Sequence, residues 1–142
     1  MDMLSTIIAG TVATFGMTLL MVLASFVTGY NLRIPQFLGT MLTFETKPSG
    51  DVSRSSRSLL LGNFAHYCIG VCFALLYKQI HPAFYKSTSV NGLLFGMAAG
   101  GVALIFWGSA FRLHPLAPKV NLPLYLAFIF LGHLLFGATL QI

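Results

Sequence analysis

The sequence predicts an all-α membrane protein built from four transmembrane helices, and two observations carry that expectation. Of 142 residues, 56% are hydrophobic and only 8% charged, with eight Lys/Arg against three Asp/Glu. Soluble domains average about 45–50% apolar and about 25% charged residues. So few charges cannot cover a water-facing surface, which excludes a soluble globular protein, a disordered chain and a disulfide-stapled secreted domain. The second observation is where the charges fall. None lies from Met3 to Leu32, from Ser58 to Tyr77, from Ser87 to Phe111, or from Val120 to Ile142, and each stretch holds at least 20 residues. A helix rising about 1.5 Å per residue needs about 20 such residues to cross the hydrocarbon core. Spans are expected near 4–29, 58–78, 89–111 and 122–141, forming a single bundle over residues 1–142. Runs such as Leu59-Leu60-Leu61 and Phe73-Ala74-Leu75-Leu76 do not alternate apolar with polar, so a membrane β-barrel is excluded.

The first span follows Met1-Asp2 without a positive flank, and its apolar run exceeds the roughly 7–15 residues of a signal peptide's apolar stretch. An uncleaved helix is expected there. In loop one, Ile34, Phe37, Leu38, Met41 and Phe44 share a helical face, predicting a short interfacial helix or one docked on the bundle. The Ser-rich stretch from Ser49 to Ser58 reads as a solvated linker. Ser58 is placed to cap the second span, Ser87 to Ser89 the third, and Asn121 the fourth, with Pro123 in its first turn. Pro82 and Pro115 stand just past the ends of spans two and three. Tyr30, Tyr77, Tyr85 and Trp107 near span ends read as an interfacial aromatic belt.

Loops one and three carry Arg33, Lys47, Arg54, Arg57, Arg112 and Lys119, whereas loop two carries Lys78 and Lys86. The positive-inside rule then puts loops one and three in the cytoplasm and both termini outside. The formal charge of +5 has the same origin; no basic surface interleaved with aromatics points to nucleic acid.

Phe15-Gly16-Met17 recurs as Phe95-Gly96-Met97, and Pro35 as Pro115, at one offset. His66-Tyr67-Cys68-Ile69-Gly70 is echoed by His133-Leu134-Leu135-Phe136-Gly137. A duplicated helical hairpin, its halves related by an axis along the membrane normal, is one reading of these matches; chance in an apolar chain is the other. Gly92, Gly96 and Gly100 repeat every fourth residue on span three, as do Gly62, His66, Gly70 and Ala74 on span two. Lipid gives helices no hydrophobic reason to associate, so such stripes mark helix packing, within the bundle or to a partner.

His66 and His133 are the notable ionisable groups inside the spans, where polar side chains are costly and face the bundle or a cavity. Spans two and four run in the same direction, so the two imidazoles can meet at similar depth. Together they are a candidate ligand pair for a b-type haem, with Gly70 and Gly137 leaving room for the ring and Asn63 bonding an imidazole from one turn away. The plainer alternative is that each histidine bonds a neighbouring carbonyl or hydroxyl and joins helices. His81 and His114 precede prolines at span ends and read as interfacial. Cys68 and Cys72 share a face and read as buried thiols, with no metal site or disulfide expected. No Asp or Glu falls in any span, no Ser-His-acid set is evident and no phosphate-binding loop is present, so catalysis is not expected.

The stretch from Gly10 to Thr18, the run Ile34-Pro35 through Leu38-Gly39-Thr40-Met41, and Trp107 through Leu113-His114-Pro115 resemble a group of small four-span bacterial membrane proteins of uncharacterised function. The resemblance covers nearly the whole chain and implies a bacterial inner (cytoplasmic) membrane, without implying any catalytic residue. The function expected is that of a non-catalytic accessory or scaffolding subunit in a larger inner-membrane complex, its partners being lipid, other membrane subunits or a second copy of itself. Two rivals are an electron-transfer subunit binding haem through His66 and His133, and a small passive carrier or pore.

Overall fold

In the computed structural model, which describes residues 2–80 and 89–140, the chain forms five helices. These are α1 (Met3–Thr28), α2 (Ile34–Thr43), α3 (Ser56–Ile80), α4 (Ser89–Leu113) and α5 (Leu122–Thr139). All but α2 are long and apolar enough to cross a membrane. Pro82, Tyr85, Lys86, Ser87 and the His81-Pro82 turn lie outside the described residues.

Local chemistry sets the helix ends. The Asp2 carboxylate caps α1 by accepting the Ser5 N–H at 2.7 Å, and Gly29 closes it in the left-handed conformation (φ 72°) that glycine adopts without a steric penalty. Ser55, rather than Ser58, caps α3: its Oγ accepts the Ser58 N–H at 3.1 Å. The Asn121 side chain caps α5 through the Leu124 N–H, with Pro123 in the first turn.

Only 22–33% of the residues in each span's most apolar stretch are buried inside the chain. Phe26, Leu60, Phe64 and Ile105 point outward, each more than two-thirds exposed. That is a bundle whose outer surface suits hydrocarbon.

Small residues bring the helices together. α1 packs on α3 and on α5, α4 on α5, and α2 on α3. A Cβ at Gly10 would meet Ala74, and one at Gly70 would meet the Thr14 hydroxyl, so α1 and α3 touch nearly backbone to backbone. Gly96 lies against the His133 carbonyl, Gly137 against Gly92 and Gly96, and Gly100 against Phe130, closing α4 onto α5. Gly62 fits beneath the Pro35 carbonyl and Gly39 beneath that of Ser58, which seats α2 on α3. The adjacent helices α3 and α4 share no such seam. Ring contacts of Phe95 with Phe73 (6.2 Å) and with Tyr77 (5.0 Å) bridge them at one end instead.

The helix in loop one exists, but it is largely buried: Ile34, Phe37, Leu38 and Met41 face the bundle. Phe37 enters an aromatic cluster with Phe111 and Tyr125, at 5.5 and 5.0 Å. Trp107 is 5% exposed within the same cluster, so it serves the interior and not a surface belt. The Ser-rich stretch is mostly exposed, but it is also tied down. Glu45 accepts the hydroxyls of Ser53 and Ser55, Thr40 Oγ1 accepts the Ser53 N–H at 2.8 Å, and the Lys119 N–H reaches the Gly50 carbonyl at 2.7 Å. His114 Nε2–H donates to the Met41 carbonyl at 3.1 Å while its Nδ1 accepts the Leu116 N–H. Nε2 thereby ties loop three to loop one, and Nδ1 holds the turn within loop three.

The two Phe-Gly-Met matches sit in different surroundings. Phe15 is 58% exposed and Phe95 only 7%.

Candidate functional site

The buried interior is divided. One cluster of side chains, including Met21, Phe37, Trp107 and Tyr125, fills the end beneath α2. A second, with Ala13, Ala74, Tyr77, Phe95 and Phe136, fills the other. Between them lies a cavity of about 230 Å³. Its walls are Thr14 and Met17 of α1, Ile34 and Leu38 of α2, His66, Ile69, Gly70 and Phe73 of α3, Val102, Ala103, Phe106 and Trp107 of α4, and His133 and Phe136 of α5. Ile69, Val102 and Phe106 are 44%, 59% and 53% exposed. The cavity therefore opens sideways where α3 and α4 lack a packed seam.

The structure brings His66 of α3 and His133 of α5 to this one cavity. Each imidazole is held by a hydrogen bond that fixes its protons. His133 Nδ1 lies 2.8 Å from the Ile129 carbonyl. A carbonyl only accepts, so Nδ1 carries the proton and Nε2 of the neutral ring is bare. His66 Nε2 lies 3.1 Å from Thr18 Oγ1. The Thr18 hydroxyl spends its single proton on the Thr14 carbonyl at 2.8 Å, so it accepts from His66, leaving Nδ1 bare. Among the described residues neither bare nitrogen has a partner, and neither is one of the sealed orphan atoms, which are Ser58 Oγ and Tyr125 OH. Both rings line the cavity, and neither bare nitrogen is sealed off.

The other residues singled out in the sequence stand elsewhere. Asn63 is exposed and donates to its own helix at the Leu59 carbonyl (2.7 Å), away from His66. The room left by Gly70 is taken by Thr14, and that left by Gly137 by the α4 backbone at Gly92 and Gly96. His66 Nε2 is committed to Thr18. The cavity also falls below the roughly 300 Å³ at which drug-sized sites begin. Cys68 and Cys72 are free thiols on the outer face of α3 and are not buried.

Thr18, Phe73, Trp107 and the α2 face were not anticipated as parts of the site. A signal for Thr18 was present: Thr14 and Thr18 are hydroxyls four residues apart inside an apolar span, on one helical face.

The whole chain, residues 1–142, matches the model of DUF6789, a family of unknown function, and belongs to that family. None of the curated proteins and none of the solved structures compared with it matches.

Proposed function

We propose that this DUF6789 member is a non-catalytic, multi-pass membrane protein that holds a lipid-soluble small molecule between its helices. The carrying observation is the cavity of about 230 Å³, apolar on most sides, edged by exposed residues of α3 and α4, with two fixed imidazoles in its wall. Apolar walls with a few convergent polar groups are the usual make-up of a small-molecule site. An opening toward hydrocarbon admits only what dissolves there. This develops the carrier reading and gives it a location. The haem alternative has the shared histidine cavity in its favour and the filled glycine spaces against it.

Trp107 is the only tryptophan of the chain and lines the cavity, which gives a direct test. In nanodiscs, bromobenzene is expected to quench its fluorescence along a saturating curve. Ala103→Phe, which fills the cavity, should reduce that curve to the linear quenching of simple partition. Linear quenching of the unaltered protein would reject the reading.

A second reading, an accessory or scaffolding subunit, has one specific observation behind it. Gly101 and Gly108 lie on α4 with no atom within 4 Å of where a Cβ would stand. Glycine costs a helix about 1 kcal/mol relative to alanine, and nothing among the described residues packs into the space beside these two. A neighbouring transmembrane helix would. Native-gel migration with a co-migrating membrane protein supports that reading, and migration as a lone monomer counts against it.

In the same proposal the protein lies in a bacterial inner membrane with the α2 end in the cytoplasm, following the Lys/Arg of loops one and three. A duplicated hairpin is supported by the pairing of α1 with α3 and of α4 with α5, each pair carrying one histidine on its second helix, although α1 also packs on α5 and no equivalent seam joins α4 to α3. The unlike settings of Phe15 and Phe95 weigh the other way.

A further inference from the structure

The imidazoles of the cavity define what kind of molecule fits it, an inference that rests on the binding reading above. Nδ1–H of His133 is spent on the Ile129 carbonyl and Nε2–H of His66 on Thr18. The nitrogen that each ring leaves for a ligand therefore offers a lone pair and not a proton. The hydroxyl of Thr14, also in the wall, is directed at the Gly10 carbonyl (2.7 Å). A molecule with only acceptor groups, such as a ketone, quinone or ether, would face these lone pairs with its own. A molecule carrying an O–H would satisfy one of them in a place where water competes weakly.

Size and wall chemistry narrow the class further. An engineered apolar cavity of about 150 Å³ takes up benzene, so about 230 Å³ suits one ring with short substituents. Phe73, Phe106 and Trp107 offer aromatic edges and faces around it. We propose that the cavity between α3 and α4 is a site for a lipid-soluble hydroxylated aromatic ring, a phenol or hydroquinone, whose hydroxyl donates to His133 Nε2.

The test uses the full chain in nanodiscs at neutral pH and two probes, 4-bromophenol and 4-bromoanisole. They differ in that the methyl ether cannot donate a hydrogen bond, and both quench Trp107. After correction for partition into the bilayer, the phenol is expected to saturate at roughly tenfold lower concentration, the size of one well-formed hydrogen bond. In His133→Leu the two midpoints should converge. The comparison in the unaltered protein needs no variant, so a poorly folding variant leaves the proposal exposed to refutation. Equal midpoints there would overturn the donor assignment while leaving the binding reading intact. A preference that persists in His133→Leu would overturn the role given to His133. Saturation by neither probe would overturn both the ligand class and the binding reading.

Discussion

The Thr18 hydroxyl of α1 stands 3.1 Å from Nε2 of His66 on α3, and this one contact sets which nitrogen of His66 the cavity meets. It is an interhelical hydrogen bond in a segment with no water to replace it. Removing it with Thr18→Val is expected to lower bundle stability by about 0.6 kcal/mol, the average for such bonds in membranes. The imidazole ¹⁵N shifts of His66 should at the same time lose the signature of a single Nε2–H tautomer. Unchanged shifts would mean that Thr18 does not fix the ring.

Close approach and open space predict opposite signs for the same substitution. Gly70→Ala places a methyl group against the Thr14 side chain, and overpacking of this kind costs about 1–3 kcal/mol. Thr14→Ala in the same chain should recover part of the loss. Gly101→Ala meets nothing within 4 Å and should stabilise the isolated chain by up to about 1 kcal/mol. Unfolding of the three variants in mild detergent checks the order; a Gly70→Ala protein as stable as the parent would contradict the packing of α1 on α3.

Tyr125 is fully buried, and its hydroxyl has no hydrogen-bond partner among the described residues. Removing an unsatisfied buried hydroxyl is neutral or favourable, so Tyr125→Phe should unfold no earlier than the parent. Ser58→Ala follows the same logic at the α2–α3 seam. A loss above about 1 kcal/mol in thermal unfolding would point to a partner on that hydroxyl.

Glu45 lies outside the spans, and the hydroxyls of Ser55 and Ser53 hold its carboxyl below the usual glutamate range. A carboxylate whose folded-state value is depressed contributes order that is complete above its unfolded value and is lost as pH falls through the folded one. Loop one should therefore keep its protection against amide exchange at neutral pH and lose it in acid, below the ordinary glutamate range. Glu45→Gln should exchange faster at neutral pH and show less of that acid dependence. Since Glu45 is half-buried in loop one, outside the spans, the effect belongs to the loop and not to the bundle.

Much of this architecture is written in charge placement. Arg33, Arg57, Lys78, Arg112 and Lys119 bracket the spans because a charge in hydrocarbon is costly, and the helices end within a few residues of them. That His66 and His133 could lie at similar depth followed from helical rise and parallel direction, and both line one cavity. What periodicity did not carry was which glycines close a helix pair and which stay open. Gly96 and Gly101 look alike in sequence, yet one abuts the His133 carbonyl and the other meets nothing. That distinction depends on the rotation of each helix, which an all-apolar span does not encode. The burial of α2 was equally hidden, because an amphipathic face fits a lipid surface and a docked position alike.

Crystals of the protein grown from a lipid phase and soaked with 4-bromophenol would place the bromine directly by its anomalous scattering. A single strong peak between His133 and Trp107, flanked by Phe73 and Phe106, is the predicted result. Bromine found only along the outer helix faces, with the interior space empty, would contradict an intramembrane binding site.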